Sequence, residues 1–285
     1  MNSVILNFIV LLLLLPACSP GAASDPEIVS NTYQITKTVR HNGLSVDLVI
    51  DKPEQDELDV LIVFRGTVRN DSLIVQAAKN ALDRFKNILE RKDLLIVSVA
   101  YPEENLLFGD NIQHSEAALL WVRNSAAKEL GIKLNRIFLA GHSQGGYLVT
   151  RLNTMHPTNG VVANAPGPLN LVFRCKLEER GQVSEEMECR ALYNEYGSVF
   201  ENPDAYYQRS LLNFTDGFKS NILFIQGLND SPIQMYSWPL FKEQIENCAN
   251  CSETIFKELD GYGHTALFNN REAIDEFNRF LSRKF

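Results

Sequence analysis

The sequence predicts an α/β domain: a mostly parallel sheet with helices on both faces and a helical insertion above the carboxyl ends of the strands. Three observations predict it. Short apolar, β-branched runs alternate with amphipathic segments from Leu58 onward. One run, Arg136 to Ala140, passes into a helix through Gly141-His142-Ser143-Gln144-Gly145. The alternation then breaks between Gly167 and Ser220, in a charged, aromatic stretch holding two cysteines.

With 285 residues, 45% hydrophobic and 22% charged, the chain can bury one large core. Its formal charge is -8, and no Lys/Arg cluster interleaves with aromatics, which argues against nucleic acid as a partner. Residues 1–17 differ from the rest. Val4 to Leu15 is apolar except for Asn7, the length of a signal-peptide core and too short to span a bilayer comfortably. Leu15-Pro16-Ala17-Cys18 resembles a bacterial lipoprotein signal, although Lys and Arg are missing from the first residues and Pro16 is unusual there. The alternative is ordinary secretion with cleavage near Ala22-Ala23, giving a soluble secreted or periplasmic protein. Both imply export. Lipidation of Cys18 would hold the protein on the cell envelope through acyl chains alone, with 18–30 as a tether.

Four cysteines remain: Cys175, Cys189, Cys248 and Cys251. In an exported chain an even count suggests disulfides. Closeness in sequence favours Cys175–Cys189 and Cys248–Cys251 among the three connectivities, with free buried thiols as the alternative. A zinc site is disfavoured because one pair alone has Cys-x-x-Cys spacing and no His lies near it.

In chain order, Thr32–Arg40 and Leu44–Asp51 read as a hairpin across His41-Asn42-Gly43. Leu58 to Phe64 reads as a strand buried on both faces. Leu73 to Leu89 carries its apolar residues on one helical face, with Asp71 or Ser72 to cap it. Leu94 to Val99 is a further strand, and Asn111 to Leu130 a helix closed by Gly131. The nucleophile-type turn opens a helix from Gln144 to about Met155, and Val161 to Ala163 is a short strand. Residues 167–220 read as a helical cap stapled by a disulfide. Its aromatics Phe173, Tyr193, Tyr196, Phe200, Tyr206 and Tyr207 either line a pocket or form the cap's own core. Asn221 to Gly227 resumes the sheet, a helix runs to about Asn247, Thr254 to Leu259 is the last strand, and Ala273 to Leu281 the closing helix.

A serine hydroxyl needs a base in reach, and the base needs an orienting carboxylate. Asp230 follows one strand and His264 the last. Both loops emerge at the sheet edge that carries Ser143, so these three are the candidate catalytic residues. His142 reads as a buried support beside the turn, His156 as a helix-end residue, and Asp260 as too close to its strand end to back the imidazole.

From Leu58 onward the chain resembles the α/β-hydrolases through Gly141-His142-Ser143-Gln144-Gly145-Gly146, Gly227-Leu228-Asn229-Asp230 and Gly261-Tyr262-Gly263-His264. Gly146 is similar to the branch with prolyl-oligopeptidase-like and polyester-depolymerase-like members. The resemblance implies an α/β-hydrolase fold over 31–285 with a cap insertion at about 167–220. It implies Ser143 as nucleophile, His264 as base, Asp230 as its orienting acid, and the backbone N–H groups of Gln144 and Thr67 as oxyanion donors. Arg65-Gly66 stands where that family usually has His-Gly, and Arg65 could contact an acidic substrate group or pair with the cap. The implied activity is hydrolysis of a small or short-chain acyl ester with no cofactor and no metal. A serine peptidase with the same triad, and a non-catalytic envelope binding module, are the alternatives.

Overall fold

In the computed structural model the described residues are 33–283; the signal segment 1–17, Cys18 and the tether 18–30 lie outside them. The chain opens with strands β1 (Tyr33–His41) and β2 (Leu44–Lys52), paired antiparallel. The turn between them uses Asn42 and Gly43 at φ of 48° and 80°, the doubly left-handed geometry that matches strand twist. Then follow β3 (Glu57–Phe64), α1 (Ile74–Ile88), β4 (Leu94–Ala100), α2 (Ile112–Trp121) and α3 (Ala127–Leu130). Next come β5 (Lys133–His142), α4 (Gln144–Met155) and β6 (Gly160–Asn164). The cap holds α5 (Leu171–Glu179), α6 (Met187–Tyr196) and α7 (Pro203–Tyr207). The chain closes with β7 (Ile222–Gly227), α8 (Pro232–Glu246), β8 (Thr254–Leu259), α9 (Ala266–Asn269) and α10 (Arg271–Ser282).

The sheet has eight strands in the order β1-β2-β4-β3-β5-β6-β7-β8, parallel from β4 to β8. Its central strands read as near-continuous apolar runs because both faces are covered. Val60, Ile62 and Phe64 of β3 enter one core with Leu148 and Leu152 of α4 and Trp238 and Phe241 of α8. Leu61 and Val63 enter the other with Leu82 and Phe85 of α1 and Phe277 and Phe280 of α10. Register then sets the site. Phe64 is opposite Gly141, His142 opposite Asn164, and Gly227 opposite Leu259, so the loops after β3, β5, β7 and β8 leave one edge side by side.

Two local readings are corrected. The helix at 74 is preceded by a 3₁₀ turn, Asp71–Leu73, and its cap is Asn70, whose side chain accepts the Ser72 N–H. Asp71 instead accepts the N–H groups of Glu103 and Glu104, and Leu73 is 55% exposed. The stretch read as one helix from Asn111 to Leu130 is broken by a π-helical turn at Val122–Ala126. Gly131 does close it, in the left-handed region at φ 65°.

Candidate active site

Ser143 joins β5 to α4 with φ 58° and ψ -121°, a strained conformation for a residue with a side chain. The surrounding glycines are steric necessities. A Cβ on Gly141 would lie 2.1 Å from the Gly145 carbonyl oxygen, and one on Gly145 would lie 2.1 Å from that of Phe64. Gly146 has its own reason, since a Cβ there would sit 2.9 Å from Pro166 Cα. The Ser143 N–H donates to the Asn164 carbonyl, tying the turn to the end of β6. The Gln144 N–H is first in α4 and has no intrahelical acceptor. From the β3 side, a Cβ on Gly66 would lie 3.3 Å from Ser143 Cβ, so the loop Arg65-Gly66-Thr67 runs against the serine.

Asp230 and His264 meet above the same edge. His264 Nδ1 lies 2.8 Å from Asp230 Oδ2, which also accepts from Gln226 Nε2 at 3.1 Å. Asp230 Oδ1 accepts the Ser231 N–H at 2.6 Å. Burial alone would push the Asp230 carboxyl up, but the hydrogen bonds and charge of His264, with Ser231 and Gln226, hold it below its ordinary value. With Nδ1 as the donor to Asp230, Nε2 carries the lone pair. Ser143 and His264 line one cavity, with no hydrogen bond between them among the described residues. Such contacts tighten when a substrate binds.

Around this trio lie groups that support it. His142 is largely buried, its ring centroid 4.9 Å from that of His264, and its Nδ1 is 2.8 Å from Asn164 Nδ2. Burial, then the neighbouring His264 and Arg84, push His142 down to about 3, so it is neutral at physiological pH. Asn164 is fully buried and also accepts the Leu267 N–H. His156 pairs with Glu116, and Asp260 is exposed. Two glutamines went unread in the sequence. Gln234 Nε2 donates to the Pro166 carbonyl and to Gln226 Oε1, and Gln226 Nε2 donates to Asp230. The signal for Gln226 was a polar residue inside the apolar run of β7, where it is fully buried.

Arg65 takes neither of the roles expected of it. It is 3% exposed, lies over the Tyr101 ring, and donates to Glu103 Oε1 at 2.5 Å and to the Gly66 carbonyl at 2.8 Å. Both Glu103 carboxylate oxygens accept the Val68 N–H. The pair therefore pins the loop that carries Thr67. Burial pushes the Glu103 carboxyl up, and the Arg65 charge offsets only part of that. Glu103→Gln would leave the guanidinium uncompensated, at an expected cost of about 3 kcal/mol. Urea denaturation should show the loss; an unchanged midpoint would refute this account of the loop.

The cavity measures about 480 Å³. Thr67, Phe108, Leu169, Leu171, Ile233 and Gln234 form part of its wall, and the cap contributes Arg174, Glu178, Glu186 and Glu188. None of the six cap aromatics lines it, so the reading of an aromatic pocket is corrected. Tyr206 is fully buried, donates its hydroxyl to the Gly197 carbonyl and joins the core that continues into the sheet, with Tyr196 partly buried against it. Phe173 stacks on Tyr236, while Tyr193, Phe200 and Tyr207 are exposed. Disulfides Cys175–Cys189 and Cys248–Cys251 are both formed, the first tying α5 to α6.

A family model described as alpha/beta hydrolase fold matches residues 74–177. No curated protein matches the chain significantly. Among solved structures, an esterase from Pyrobaculum calidifontis is 17% identical, with a TM-score of 0.63 over 87% of this chain and 83% of its own. One of two fungal esterases from Rhizomucor miehei is also 17% identical, with a TM-score of 0.64 over 88% and 83%. An acylaminoacyl peptidase from Pyrococcus horikoshii is 14% identical, with a TM-score of 0.63 over 90% of this chain but 42% of its own, so this chain spans under half of that enzyme. Sheet order, the strained serine corner and these likenesses agree: the chain has the α/β-hydrolase fold.

Proposed function

We propose that the protein is an exported serine hydrolase that cleaves carboxylic esters through an acyl-enzyme. The observation that carries this reading is the His264–Asp230 hydrogen bond at 2.8 Å in the loops beside Ser143, with serine and imidazole lining one cavity. Ser143 Oγ attacks the ester carbonyl carbon as His264 Nε2 takes its proton. Asp230, held ionised, keeps the ring oriented and stabilises the imidazolium. The N–H groups of Gln144 and Thr67 bind the oxyanion; among the described residues the Thr67 N–H has no protein acceptor. The tetrahedral intermediate collapses, the imidazolium protonates the departing alcohol, and water then releases the acid by the same relay.

A fluorophosphonate probe should label the folded wild-type protein, and short p-nitrophenyl esters should turn over faster than the matching aminoacyl amides. A folded chain that stays unlabelled would favour the binding-module alternative, and faster amide cleavage would favour the peptidase. Two disulfides are compatible with an oxidising compartment, and no described helix is long and apolar enough to cross a membrane. We assign membrane attachment to lipid on Cys18, which lies outside the described residues. In fractionated cells the label should follow the membranes and shift to the soluble fraction in Cys18→Ser; unchanged fractionation counts against lipidation.

A further inference from the structure

The cavity at Ser143 adjoins a second recess of about 650 Å³, and Arg69, Phe108 and Glu188 line both. The ionic groups around the junction do not balance. Arg174 is committed to Glu178 at 2.5 Å and Glu186 at 3.6 Å, and Arg69 to Glu186 at 2.6 Å. Inside the recess, Glu103 is already paired with Arg65. Glu188, Glu104 and Glu195 form no ion pair among the described residues, the Arg174 charge acting on Glu188 without direct contact, and no lysine lines either space. Glu188 lies in α6 next to Cys189, which is bonded to Cys175 of α5.

A second observation is independent of charge. The amides of Gln144 and Asn111 line the same recess, each 3% exposed, and the carbonyl oxygen of each lacks a hydrogen-bond partner. Buried amide oxygens without a donor are costly; both are shielded from solvent here, and a half-turn of each amide brings its oxygen to a donor bound in the recess. Gln144 directly follows the serine, with Ser143 lining the cavity and Gln144 the adjoining recess.

The geometry points to a substrate with a cationic end: the scissile carbonyl sits at Ser143, and a primary ammonium or guanidinium reaches past Glu188 into the recess. Glu188 supplies the countercharge, and Gln144 and Asn111 supply amide oxygens. The turnover part of this inference rests on the hydrolase reading; the binding part does not.

The test uses full-length protein and two esters of matched shape, the methyl ester of ω-aminohexanoic acid and methyl heptanoate. In Ser143→Ala, which cannot turn them over, calorimetry should show the ammonium ester binding at least about tenfold more tightly, the scale of one charge-assisted hydrogen bond. Adding Glu188→Gln should bring the ratio toward one. Glu188→Lys should reverse it in favour of an ester ending in a carboxylate. Equal binding of the two esters, or a preference that survives Glu188→Gln in a variant with wild-type circular dichroism, overturns the inference. If the preference is present but wild-type protein hydrolyses neither ester and resists the fluorophosphonate, the cation recess stands and the hydrolase reading falls.

Discussion

Ser143→Ala is expected to lower kcat for p-nitrophenyl esters by at least about 10³-fold and to abolish fluorophosphonate labelling. The loss should appear in kcat with little change in KM, because the hydroxyl acts in bond formation while the cavity walls bind. The fold should survive. Ser143 makes no side-chain hydrogen bond among the described residues, and Ala at φ 58° strains the corner no more than Ser does. Asp230→Asn should cost a comparable factor by a different route. An amide in its place can present its N–H₂ to Nδ1 and stabilise the wrong tautomer, leaving Nε2 protonated and unable to accept from Ser143. If Ser143→Ala retained more than about a tenth of wild-type kcat, the nucleophile would have to be sought elsewhere.

The elements on which this prediction depends were legible for simple reasons. Parallel strands buried on both faces are apolar nearly throughout, so β3, β4 and β7 announced themselves as near-continuous runs. The serine corner was legible because a Cβ at 141 or 145 would collide with backbone, which leaves Gly-x-Ser-x-Gly as a pattern forced by sterics. Asp230 and His264 could be read because each lies just beyond a strand end. What escaped were contacts between residues distant in sequence with no local periodicity to betray them. Arg65 and Glu103 lie 38 positions apart and meet only because β3 and β4 are neighbours. The cap misled differently. Its aromatics fitted a greasy pocket as well as a core of the cap's own, yet helices α5 and α6 turn Arg174, Glu178 and Glu188 toward the cavity, and Tyr193 of α6 stays exposed, as does Phe200 beyond it. Which way an amphipathic helix faces is set by what it packs on, and two short helices over a sheet edge have more than one choice.

Acid should destabilise the protein through His142. Its folded pKa is pushed down from 6.5 to about 3 by burial, then by His264 and Arg84. Below about pH 6.5 the unfolded chain takes up a proton that the folded chain refuses, so the stability this neutral ring contributes is complete above that pH and drains away as pH falls toward 3. The displacement sets a ceiling of about 5 kcal/mol, and water reaching a ring that is not fully enclosed will hold the real value lower, at about 2–3 kcal/mol. Asp230 slopes the same way, since its lowered pKa also means stability lost on acidification, so the wild-type curve alone cannot apportion the two. His142→Gln can separate them: an amide oxygen can still accept from Asn164 Nδ2, and it does not titrate. Urea midpoints measured from pH 7 to pH 4 should fall more steeply for wild type than for His142→Gln, with the difference opening below pH 6.5. Parallel curves would mean that the imidazole takes its proton without unfolding anything, and that its pairing with Asn164 rather than its neutrality is what the serine corner requires.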